Sequence, residues 1–123
     1  MQIPKALKFW FKFHFIVDIL FAFPLIVLPE QTLLAFGFVG ANAALARIIG
    51  AALIGIGATS YYTHTDEEFN LMLSFKIWWS ISAIAGLFWS WLENPIWQIL
   101  LLIGIFIIFS GTWIYFKLKY FKV

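Results

Sequence analysis

Polar positions in this chain fall in short clusters, separated by long stretches in which nearly every residue is apolar. A helix crossing a bilayer needs about 20 mainly apolar residues. Four stretches meet that length, at residues 8–28, 42–62, 69–92 and 96–116. They predict an all-α integral membrane protein, a four-helix bundle forming a single domain over residues 1–123. The connections are short, which makes successive helices antiparallel neighbours. Lysines precede the first stretch, as they do in a secretory signal. Asp18 interrupts that stretch, however, and no small-residue cleavage site follows, so it reads as an uncleaved span.

Between the first two spans, Pro29-Glu30-Gln31-Thr32-Leu33-Leu34-Ala35-Phe36-Gly37 has a proline at its start, an early acid and a closing glycine. These are helix start and stop signals, and they predict a short interfacial helix on the outer surface.

Composition strengthens the membrane reading. The chain is 63% hydrophobic and 11% charged, with mean hydropathy +0.95, whereas soluble domains carry about 25% charged residues. So small a domain has too much surface for its volume to hide this many apolar side chains from water. With no cysteine, disulfides, thiolate metal sites, haem attachment and thiol redox chemistry are excluded. The net charge of +2 sits mainly at the chain ends, which suits anionic lipid and not nucleic acid.

The lysines also predict orientation. Lys5, Lys8 and Lys12 lie near the N-terminus and Lys117, Lys119 and Lys122 near the C-terminus, while the first and third loops hold Glu30 and Glu93 and no lysine. The bias places both termini in the cytoplasm, together with a middle loop containing His64, Asp66, Glu67 and Glu68. Trp10, Tyr61, Tyr62, Trp113 and Tyr115 gather near the inner ends, and Trp89, Trp91 and Trp97 near the outer ends, as interfacial aromatics do.

The second span is rich in small residues, from Gly40 and Ala41 to Gly57 and Ala58. Ala46/Gly50 and Ala51/Gly55 have the small-xxx-small spacing that lets helix backbones approach closely, and Ser82, Gly86 and Ser90 repeat it in the third span. The second and third spans are therefore expected to form the tight centre of the bundle, with the Phe-, Ile- and Leu-rich fourth span facing lipid.

Four ionisable residues stand out within the spans: His14, Asp18, Arg47 and Lys76. Each costs about 2.5–3.5 kcal/mol on insertion scales and calls for a partner. His14 and Asp18, four apart, share one helix face, and Asp18 lies roughly 15 Å from the inner end. Pro24 is expected to kink the first span and open a small polar space beside Asp18, lined by Thr59, Ser60, Ser80 and Ser82 unless these bond back to their own helices. Two roles stay open. Asp18 pairs with Arg47 or Lys76 to fix helix register, leaving Glu30 or Glu93 for Arg47 and Glu67 or Glu68 for Lys76 otherwise. Alternatively, Asp18 and His14 accept protons or line a substrate path. His14, His64 and residues 66–68 lack any recognised metal-ligand spacing, and no metal or cofactor is expected. No nucleophile–base set and no phosphate-binding glycine loop is visible, so no catalytic residue is assigned.

At Arg47-Ile48-Ile49-Gly50-Ala51-Ala52-Leu53-Ile54-Gly55-Ile56-Gly57, and in the Asp18, Pro24, Pro29 order of the first hairpin, the chain resembles small four-helix membrane proteins of bacteria and archaea, the DoxX-like group. The resemblance implies a four-helix bundle in a prokaryotic cell membrane, sometimes associated with a redox or respiratory complex. The layout is also similar to that of small multidrug transporters, whose first-helix acid corresponds to Asp18, although the lysine bias here departs from their dual topology. The expected function is a non-catalytic accessory subunit of a larger membrane complex of respiratory or monooxygenase type, whose partners are lipid and other membrane subunits. The alternative is a homo-oligomeric proton-coupled transporter or lipid-handling protein centred on Asp18.

Overall fold

The structure is a computed structural model that describes residues 2–40 and 42–121. Two residues named above, Ala41 and Lys122, lie outside the described residues. Among the described residues the chain is all-helical, with α1 (Lys5–Val27), α2 (Pro29–Ala35), α3 (Ala43–Tyr62), α4 (Asp66–Glu93) and α5 (Trp97–Tyr120). Four of these helices, α1, α3, α4 and α5, are long and apolar enough to cross a membrane, which makes this a multi-pass membrane protein in contact with the bilayer. The chain divides into two compact units, residues 1–63 and 64–123, and each is described within itself.

In the first unit α1 and α3 pack antiparallel. The buried face of α1 carries Leu7, Phe11, His14, Asp18, Ala22 and Leu25, spaced three and four residues apart as one helical stripe must be. On α3 the buried stripe is Ala46, Gly50, Gly57 and Ser60, with Ile56 beside it. The small residues of α3 thus admit α1: a Cβ built on Gly50 would stand 3.1 Å from the Ala22 carbonyl oxygen and 2.7 Å from Ile26 Cγ1. Of the expected packing positions, Ala46 and Gly50 serve α1. Ala51 is exposed, and a Cβ on Gly55 or Gly86 would meet nothing within 4 Å. Ser82 is exposed, and the hydroxyl of half-buried Ser90 donates to the Gly86 carbonyl of its own helix at 3.0 Å. Of the two small-xxx-small pairs in α3, Ala46/Gly50 lies on the face that receives α1 and Ala51/Gly55 does not.

The expected short helix is present as α2, and its end explains the closing glycine. Gly37 has φ +82°, its N–H donates to the Leu34 carbonyl, and the Phe38 N–H donates to the Leu33 carbonyl, both at 2.9 Å. This is the Schellman arrangement, completed by Phe38 packing on the buried cluster of Leu25, Leu33 and Ala46. Turning the chain back here requires a left-handed residue, which glycine supplies without a Cβ clash. At the other end, the Thr32 hydroxyl lies 2.7 Å from the Leu28 carbonyl oxygen and 3.0 Å from that of Pro24, so it links α2 to the last turn of α1. The helix continues through Pro24 to Val27.

In the second unit α4 and α5 are also antiparallel, with Phe69, Leu73, Lys76 and Ser80 buried on α4 and Ile99, Ile103, Phe109, Ser110, Trp113 and Phe116 on α5. The helices run further than the apolar stretches predict. Asp66, Glu67 and Glu68, read from sequence as loop, are the first turn of α4. The cause is a capping box: the Thr65 hydroxyl accepts from the Glu68 N–H at 3.2 Å, and Glu68 Oε2 accepts from the Thr65 and His64 N–H groups at 2.9 and 2.7 Å. Backbone donors that begin a helix lack internal partners, and this pair satisfies them. Likewise α5 extends past residue 116 to Tyr120, placing Lys117 and Lys119 in its last turn, where cations complement the helix dipole.

Candidate functional site: the polar side chains of the spans

His14 and Asp18 are brought together as their spacing predicts. His14 Nε2 lies 3.5 Å from Asp18 Oδ2, and the two side chains are 5% and 7% exposed. What sequence reasoning missed is the floor beneath them. A Cβ on Gly57 would stand 3.1 Å from both Cβ and Oδ2 of Asp18 and 3.2 Å from Phe15 Cδ2. The carboxyl is therefore seated on the backbone of α3, where only glycine leaves it room. The signal was present: Gly57 follows Gly50 by two turns and falls on the same face of α3. The polar space expected beside Asp18 from the proline is occupied on this side by α3 itself. The Thr59 hydroxyl bonds back to the Ile56 carbonyl at 2.6 Å, and the Ser80 hydroxyl to that of Ile77 at 3.1 Å.

Arg47 does not belong to this cluster. It sits ten residues before Gly57 on α3, about 15 Å away along the axis. Its Nε donates to the Ile26 carbonyl oxygen at 3.2 Å. Ile26 is in the last turn of α1, where carbonyls lack helical partners and the dipole attracts a cation. Arg47 is thus the C-terminal cap of α1, supplied by the neighbouring helix. The sequence leaves Asp18, Glu30 and Glu93 open as its partners, since a long basic side chain in a span gives no hint of which way it reaches.

Lys76 is fully buried, at 0% exposure. Its ammonium stands 5.3 Å from the centroid of the Trp113 ring on α5, within the range in which an aromatic face attracts a cation. One turn or so towards the end of the same helix pair lies a group that sequence reading did not single out. Lys117 on α5 donates to the side-chain carbonyl of Asn70, to the Asn70 backbone carbonyl at 3.1 Å and to the Ser74 hydroxyl at 2.8 Å. These contacts bridge α5 to α4. Lys117 was read only as a marker of orientation. Its role in joining helices depends on the antiparallel register, which brings residue 117 opposite residues 70 and 74.

Among the described residues no group of three or more histidine, aspartate or glutamate side chains is placed to hold a metal ion. His64 and Glu68, weighed as possible metal ligands, are joined instead through the capping of α4. Compared with known protein families, with curated proteins and with solved structures, the chain finds no match.

Proposed function

We propose that this protein is a non-catalytic subunit of a larger membrane assembly, in which its helices serve as a scaffold. The observation that carries the reading is the seat of Asp18 on Gly57. The most conspicuous intramembrane acid is packed against a helix backbone, as a residue that sets the register of α1 on α3 would be. The other polar groups of the spans have comparable duties: Arg47 caps α1, and Lys117 ties α5 to α4. The outward faces carry large aromatic and aliphatic side chains, among them Phe23, Trp89 and Trp97, which suit lipid and neighbouring helices equally. The resemblance of residues 47–57 to the DoxX-like group supports membership of a respiratory or monooxygenase complex in a prokaryotic cell membrane.

The test is gentle solubilisation of native membranes, a native gel, and mass spectrometry of the band that holds this chain. A band containing larger membrane subunits is the expected result. Recovery of the chain only as a monomer or small homo-oligomer overturns the proposal.

A second reading is favoured by one observation, the buried pairing of two titratable groups, His14 and Asp18, on one span. Ionisable residues inside a membrane commonly mark proton or substrate paths. On this reading the protein is a small homo-oligomeric proton-coupled transporter or lipid-handling protein working through Asp18. Reconstituted Asp18→Asn protein would then lose proton movement under an imposed pH gradient while folding normally. Equal proton movement in both proteins removes this reading.

A further inference from the structure

A groove of about 290 Å³ runs along the outer side of the α4–α5 pair, lined by Ser74, Ile77, Trp78 and Ile81 of α4 and by Ile114, Lys117 and Leu118 of α5. Its two ends differ chemically. The polar lining residues, Ser74 and Lys117, lie towards the start of α4 and the end of α5, where Leu118 stands beside them, and the remaining wall is apolar. From Ser74 to Ile81 the groove extends about 10 Å along the helix, so the polar end lies towards the membrane surface and the apolar end towards the bilayer interior. Trp78, 72% exposed, forms one wall with its ring against the open side.

We infer that this groove binds one anionic phospholipid, its phosphate at the Lys117 charge and one acyl chain along Ile77, Trp78, Ile81 and Ile114. The charge is what selects the headgroup. The ammonium of Lys117 is held by neutral oxygens, two from Asn70 and one from Ser74, which orient it without neutralising it. No carboxylate lines the groove. The acids of the first turn of α4, Asp66, Glu67 and Glu68, stand beyond its polar end, and the Glu68 carboxylate is taken up by the His64 and Thr65 amides. Basic sites between membrane helices near the cytoplasmic surface are suited to anionic headgroups, and the apolar wall suits a chain that is already at this depth. The Ser74 hydroxyl donates to the Asn70 carbonyl of its own helix at 3.3 Å, so the attraction for a phosphate rests on the Lys117 charge.

The full-length protein, purified in mild detergent, is offered dioleoyl phosphatidylglycerol and dioleoyl phosphatidylcholine in equal amounts, and retained lipid is counted by native mass spectrometry. The two lipids share their tails, so any preference reads the headgroup. The wild-type protein is expected to retain phosphatidylglycerol about fivefold over phosphatidylcholine, the factor one lysine supplies near a charged surface. Lys117→Gln is expected to abolish the preference. Because Lys117 also joins two helices, Ile81→Trp provides a variant that leaves the joint intact and fills the apolar end, and it is expected to reduce retention of both lipids. Equal retention of the two lipids by the wild-type protein overturns the inference. So does an unchanged preference in a folded Lys117→Gln protein, or unchanged retention in Ile81→Trp.

Discussion

Asp18 of α1 rests directly on Gly57 of α3, with 3.1 Å separating its Oδ2 from the place a Cβ would occupy on that glycine. One of the close contacts between the two helices is therefore made by a carboxyl group and a residue with no side chain. Enlarging Gly57 crowds the Asp18 and Phe15 side chains. Gly57→Val is expected to destabilise the protein by about 1–3 kcal/mol, the usual cost of inserting methyl groups into a filled contact. Gly55→Ala, where a Cβ meets nothing within 4 Å, is expected to be neutral or slightly stabilising. Thermal unfolding in detergent distinguishes the two, and equal effects would show that the α1–α3 contact is not where it is described.

The number and approximate position of the spans were legible in the sequence because lipid imposes a coarse requirement, roughly 20 apolar residues per crossing. The short α2 was legible as well, because proline and glycine act locally. Less legible was where each polar side chain goes. Arg47 and Asp18 look like partners in a list of intramembrane charges, yet one caps a helix end and the other rests on Gly57, about 15 Å further along α3 than Arg47. Asn70 and Ser74 carry no signal at all until α5 brings Lys117 beside them. Pairing between helices depends on register, and a membrane span pattern that is apolar all round encodes register weakly. Even the small residues of α3 show this: Ala46/Gly50 and Ala51/Gly55 have the same spacing, and only the first pair lies on the face that α1 covers.

Gly37 provides a backbone test. At φ +82° an L-residue is strained by about 1–2 kcal/mol. Gly37→Ala is expected to lower stability by that amount and to loosen α2, seen as faster amide exchange at Phe38, whose N–H closes the turn onto Leu33. Unchanged exchange would contradict the assigned turn.

Thr65→Ala removes the hydroxyl that accepts from the Glu68 N–H. The expected cost is about 1 kcal/mol, as for other helix N-caps, with increased amide exchange confined to the first turn of α4. An effect spread through α5 would require some role other than capping.

The lysine bias predicts which ends face the cytoplasm. Since the chain has no cysteine, single cysteines introduced as Gln31→Cys and Glu67→Cys report orientation without background. A membrane-impermeant maleimide applied to intact cells is expected to label position 31 and not position 67. The reverse pattern would invert the topology, and labelling of both would mean mixed insertion.

The scaffold reading makes its most direct claim about the outward faces. A photo-reactive amino acid placed at Phe23, which is 67% exposed, can be activated in native membranes, with the buried position of Ala22 as the control. Adducts at position 23 with larger membrane subunits, absent at position 22, are the predicted result. Adducts at position 23 with lipid or with this chain alone would contradict the account and return attention to His14 and Asp18.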